Sequence, residues 1–144
     1  MRAVPDAGPV LPFPKGWYVV AESGDVAGRE LVGIEAFGRE LVLGRDEGGV
    51  VHAAQDLCPH VGGRFSQGGV LDGDCVVCPF HGWRFGPDGR CVEIPAGDPI
   101  PERARIRKWT AREREGCIEV FHGRRGQEAD PAADVHDQRS DSSG

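Results

Sequence analysis

Long apolar runs are missing from this sequence. The longest obvious one, Trp17 to Ala21, covers five residues, against the roughly 20 that a membrane-spanning helix needs. No apolar series recurs at helical spacing for three turns, and no self-similar unit of solenoid size appears. No secretory h-region follows Met1-Arg2, so the start does not read as a signal peptide. Basic residues are in deficit, 17 Lys and Arg against 23 Asp and Glu for a formal net charge of −6, which argues against nucleic acid as a partner. Cysteine is sparse and odd in number, at five. A disulfide scaffold is therefore not expected, and a reducing cytoplasm, with no membrane attachment, is the expected setting. A chain of 144 residues favours one domain.

Turn formers are abundant instead, with 22 Gly and 11 Pro. They separate short β-prone runs: Trp17–Glu22, Glu30–Phe37, Glu40–Arg45 and Val50–Ala54, then Val70-Leu71, Cys75–Cys78, Trp83–Phe85 and Arg90–Ile94. Ile100 to Thr110 and Cys117 to His122 complete the set. This cadence predicts an all-β, antiparallel domain. Residues 1–13 read as an extended, proline-rich leader, and residues 14–122 as the folded unit. Residues 123–144 hold one valine and no other large aliphatic or aromatic residue, so they are expected to be a disordered polar tail.

Four residues carry the chemistry: Cys58, His60, Cys78 and His81. Their spacing is C-x-H, then 17 residues, then C-x-x-H. Each pair sits in a compact stretch of similar build, Cys58-Pro59-His60-Val61-Gly62-Gly63 and Cys78-Pro79-Phe80-His81-Gly82-Trp83. Two thiolates and two imidazoles can bind structural Zn²⁺ or an iron–sulfur cluster. A zinc finger normally keeps its two Cys together and its two His together, whereas each loop here supplies one of each. That suits two adjacent metal ions, each loop giving its Cys to one and its His to the other.

At these residues the sequence resembles the Rieske domain family, over about Phe13 to His122. The resemblance implies a Rieske fold, an antiparallel β-sandwich with a small cluster-binding subdomain. It also implies one [2Fe–2S] cluster, with Cys58 and Cys78 on one iron and His60 and His81 on the other. Two ferric ions and two sulfides carry a charge of +2 that two thiolates cancel, so the oxidised centre is neutral and easier to reduce than an all-Cys cluster. High-potential relatives add a bridged cysteine to each loop, at positions corresponding to Gly63 and Phe80, and a serine where this chain has Trp83. Lacking these, the centre is expected to be of low potential. Gly62, Gly63 and Gly82 are expected to let backbone N–H groups approach sulfide. Phe80, Trp83 and Phe65 are expected to keep water out.

Cys-Pro-Phe-His-Gly-Trp-Arg-Phe (78–85) resembles the second loop of Rieske oxygenases, and the stretch from Ile94 to His122 is similar to their ketosteroid hydroxylase and cholesterol desaturase group. Such oxygenases need a further iron held by two His and a carboxylate. The other histidines are His52, His122 and His136, and 22 residues follow His122. The chain alone is thus not expected to hydroxylate anything. The resemblance implies an electron carrier between a reductase and an oxygenase. The alternatives are the Rieske part of a split oxygenase completed by a catalytic chain, and a redox sensor. Cys75, Cys91 and Cys117 read as structural thiols, His52 as a hydrogen-bonded strand histidine, and Asp134, His136 and Asp137 as solvated. The basic run Arg103, Arg105, Arg107, Lys108, Arg112 and Arg114 reads as a solvated face or a docking strip for an acidic partner.

Overall fold

The computed structural model describes residues 13–59, 63–123 and 128–137. Twelve strands form among them: β1 (Gly16–Glu22), β2 (Val32–Ala36), β3 (Arg39–Arg45), β4 (Val51–Gln55), β5 (Val70–Asp72), β6 (Cys75–Val77), β7 (Arg84–Phe85), β8 (Cys91–Glu93), β9 (Lys108–Trp109), β10 (Ala111–Arg114), β11 (Cys117–His122) and β12 (Val135–Asp137). They make three four-stranded sheets, ordered β10-β11-β1-β12, β2-β3-β4-β9 and β5-β6-β7-β8. All pairings are antiparallel except β1 with β12. Among the described residues no helix is long and apolar enough to cross a membrane.

The middle sheet separates two cores. In β3, Leu41 and Leu43 face the first core, with Tyr18, Val20, Ile118 and Val120 from the sheet of β1 and β11. Val42 between them faces the second, with Leu71, Val76 and Phe85 of the small sheet. Side chains alternate across a strand, so a sheet covered on both faces needs apolar residues at successive positions. That is why Leu41-Val42-Leu43 is a continuous apolar run and is fully buried. In β4, Ala53 and Ala54 divide between the cores in the same way.

Two departures from the sequence reading are clear. Of the run from Ile100 to Thr110, only Lys108 and Trp109 pair as a strand, while Ala104 and Ile106 pack into the second core from irregular backbone. Within the expected disordered tail, residues 134–137 return to the first sheet, where Trp17 N donates to Asp134 O at 2.8 Å. Backbone pairing, which composition does not report, places this polar segment. The basic run also divides. Arg112 pairs with buried Glu119 at 2.7 Å and lies over the Trp17 ring, Arg107 lies over Trp109, and Arg103 and Arg105 are exposed.

Candidate metal centre

Two loops leave the ends of short strands and enter the second core. The first follows β4 and carries Cys58; the second joins β6 to β7 and carries Cys78. Each is closed by the same bond five residues across: Cys58 N donates to Gly63 O at 2.8 Å, and Cys78 N donates to Trp83 O at 2.9 Å. Both thiols are buried, at 0% and 1% exposure, in one apolar cluster with Phe65, Phe85 and Ile94. His81 sits on the second loop and is exposed. His60 lies outside the described residues, as does Gly62. Among the described residues no three His, Cys, Asp or Glu side chains converge as a single-ion site.

Gly82 has a φ of +73° and donates its N–H to Cys78 O at 3.0 Å. Its amide therefore closes the second loop on itself. The left-handed conformation is the reason a glycine stands there. The aromatic residues also divide. Phe65 is fully buried against Phe85, with ring centroids 5.8 Å apart, and Trp83 packs partly buried on the same core. Phe80 is 49% exposed and rests on Gly63, so closely that any side chain at Gly63 would collide with its ring. An apolar contact thus joins the two loops at these positions.

Asp56 ties the first loop down. It is 5% exposed, and its carboxylate accepts from Ser66 N and Ser66 Oγ, both at 2.7 Å. A buried carboxylate without such donors would be costly. Arg84 ties the second: Nη2 donates to Asp72 Oδ2 at 2.8 Å, and Nε lies 3.6 Å from Glu93. The guanidinium holds the Asp72 carboxyl below its ordinary range and is itself raised. Neither positioning residue stands out in the sequence, because the partners of Asp56 and Arg84 lie ten and twelve positions away. Beside the loops, Pro59, Trp83, Pro101, Arg103 and Ala104 line a groove of ≈400 Å³.

Outside the loops, Cys75 is partly exposed while Cys78 is buried, and burial raises the Cys75 and Cys91 thiols. Cys75, Cys78, Cys91 and Cys117 are unbridged. His52 Nε2 is 2.9 Å from Asp46 Oδ2, the satisfied strand histidine expected from sequence.

Residues 16–109 match the family model described as Rieske [2Fe-2S] domain. The chain belongs to that family. Rieske domains bind one [2Fe–2S] cluster, and the described donors fit it chemically: two soft sulfurs inside an apolar core, beside an imidazole at its surface. A thiolate in such a core is costly unless a metal neutralises it. This Rieske chain is 38% identical over 117 residues to cholesterol 7-desaturase of Bombyx mori, covering 81% of this chain and 26% of the relative. It is 40% identical over 132 residues to the oxygenase component of 3-ketosteroid-9-alpha-monooxygenase of Mycobacterium tuberculosis, covering 90% and 34%. The fold is similar to dicamba monooxygenase bound to dicamba, with a TM-score of 0.72 at 32% identity, covering 83% and 35%. The chain thus spans only about a quarter to a third of these relatives.

Proposed function

We propose that this chain is a one-electron carrier in which Cys58 and Cys78 bind one iron as thiolates and His60 and His81 bind the other. The observation that carries this reading is the pair of buried thiols, each at the neck of an identically closed loop. Bound there, the cluster supplies a one-electron donor and acceptor. The chain's own residues then do three things. Phe65, Phe85 and Trp83 exclude water, Asp56 and Arg84 hold the loops, and the exposed His81 gives electrons a short way in and out.

In this reading a reductase supplies single electrons and an oxygenase receives them, in the cytoplasm. No disulfide joins Cys75, Cys78, Cys91 or Cys117, which accords with a reducing compartment. A low potential fits the apolar Phe80–Gly63 contact between the loops. A second reading, the Rieske part of an oxygenase completed by a catalytic chain, is favoured by the greater length of the relatives.

Iron and acid-labile sulfide analysis with EPR of the reduced protein tests the ligation. Stoichiometric sulfide and a mixed His/Cys signal are expected, and a single zinc ion with no signal refutes it. His81→Cys is expected to keep a cluster and lower its potential by on the order of 100 mV, toward all-Cys ferredoxins. Voltammetry showing an unchanged or raised potential contradicts the assignment. A reductase-coupled assay separates the two readings. Turnover by a complete oxygenase supports the carrier; turnover only with a catalytic chain lacking its own Rieske domain supports the split enzyme.

A further inference from the structure

β1 offers an unusual edge. Residues 16–21 are all buried, β11 pairs along one side, and the other side is covered by just three parallel pairs, Trp17 with Val135, Tyr18 with His136 and Val19 with Asp137. The covering strand contributes little apolar burial, since Val135 is 42% exposed and Asp137 is exposed. A long buried strand with an open edge is a template for pairing with another chain. A segment held by few contacts opens locally at low cost.

The cradle for this segment is built on β1 and β10. Trp17 N donates to Asp134 O and Trp17 Nε1 donates to Asp130 O, both at 2.8 Å. Arg112 lies over the Trp17 ring, 3.8 Å from its centroid, and its Nη1 donates to Pro131 O at 3.1 Å. Its Nη2 is buried and has no acceptor among the described residues. The His136 ring lies 4.8 Å from that of Tyr18. Gly16, with a φ of +147°, leaves the floor bare: a Cβ there would sit 2.5 Å from Asp134 O and 2.9 Å from His136 Nε2. The three aspartates of the segment, 130, 134 and 137, suit a cradle that contains Arg112.

We propose that the outer edge of β1 is a strand-addition site, filled in this chain by its own residues 128–137 and open to the same segment of a second copy when they leave. The recognition is mostly backbone, so it repeats identically in exchange between copies. The proposal is independent of the cluster.

The test uses full-length chains and a fluorescent peptide of residues 128–137. Wild type should bind the peptide weakly because its own strand competes. His136→Pro removes a ladder donor from that strand and should bind at least ten-fold more tightly. Adding Gly16→Ala to it should abolish binding. No gain in His136→Pro, or binding that survives Gly16→Ala, overturns the proposal. Hydrogen exchange on wild type stands apart from either variant. Amides of 134–137 should exchange by local opening while those of β1 facing β11 stay protected, and loss only on global unfolding overturns it.

Discussion

On one side of the middle sheet, the core is closed by a sheet whose two central strands, β1 and β11, run seven and six residues; on the other, it is closed by strands of two or three. The first region, with β1 and β11 over β3 and β4, is held by long backbone ladders and by Leu41, Leu43, Ile118 and Val120 at 0% exposure. The second places three thiols, those of Cys58, Cys78 and Cys91, where the first has only apolar side chains and tyrosine or tryptophan. Its short ladders are supplemented by side-chain ties, Asp56 to Ser66 and Arg84 to Asp72. A small unit with so little ladder usually needs a cross-link or a metal to stay folded. The difference teaches that one region is closed by its own ladders while the other, in the proposed reading, is completed by the cluster that Cys58 and Cys78 would bind.

The largest effect should come from breaking that completion. Cys78→Ala, or Cys58→Ala, is expected to abolish iron and sulfide binding and to expose the amides of β5 to β8, while β1–β11 and β3–β4 stay protected. Metal analysis with hydrogen exchange reads both at once. Stoichiometric iron in either variant, or uniform loss of protection, would erase the distinction between the regions. Removing the metal from wild type with a chelator should reproduce the same local pattern.

A cavity in the first core should do the reverse. Leu43 is fully buried, and Leu43→Ala is expected to cost ~2–5 kcal/mol of global stability. The visible spectrum of the folded fraction should be unchanged. Denaturant melts followed by fluorescence and by cluster absorbance report the two quantities. A spectrum altered before unfolding would show that the cores are mechanically one.

The same contrast explains what could be read from sequence. Most predicted runs lie on strands, with Trp17–Glu22, Glu40–Arg45 and Cys117–His122 matching to within a residue, because apolar residues there must reach one core or both. Ala111–Arg114 escaped because its side chains are mostly charged: Arg112 spends its charge on buried Glu119 and Glu113 on Arg45. Val135–Asp137 escaped because backbone pairing and the contact of the His136 ring with Tyr18, neither legible in composition, place it. Spacing singles out Cys58, His60, Cys78 and His81 as candidate ligands; the structure buries both thiols and exposes His81, and His60 lies outside the described residues. Asp56 is not singled out, since nothing local links it to Ser66 across the loop.

That tie gives an intermediate effect. Asp56→Ala leaves Ser66 N and Oγ without their acceptor in a partly buried setting, which should cost ~1–2 kcal/mol. The loss should fall on the first loop, with faster cluster release on dilution into chelator, while β1–β11 exchange is unaltered. Equal acceleration across both regions would show that Asp56 braces the whole domain.

The smallest effect belongs to the first region and depends on acid. Arg45 meets Glu113 through two bonds, Nη1 to Oε1 at 2.8 Å and Nη2 to Oε2 at 2.7 Å, linking β3 to β10. The guanidinium, aided by a side-chain hydrogen bond from Ser23, lowers the Glu113 pKa from 4.5 to about 2. A depressed carboxyl contributes stability that is fully present above its unfolded pKa and is lost as pH falls through its folded one. The contribution should therefore fade between pH 4.5 and about 2. Both side chains are partly exposed, so screening should hold it to about 1 kcal/mol or less. Glu113→Gln should flatten that part of the acid stability curve and leave the neutral-pH spectrum untouched. A curve of unchanged slope would assign the acid sensitivity to the carboxylates of the small region, Asp72 first, whose carboxyl is likewise lowered by its arginine.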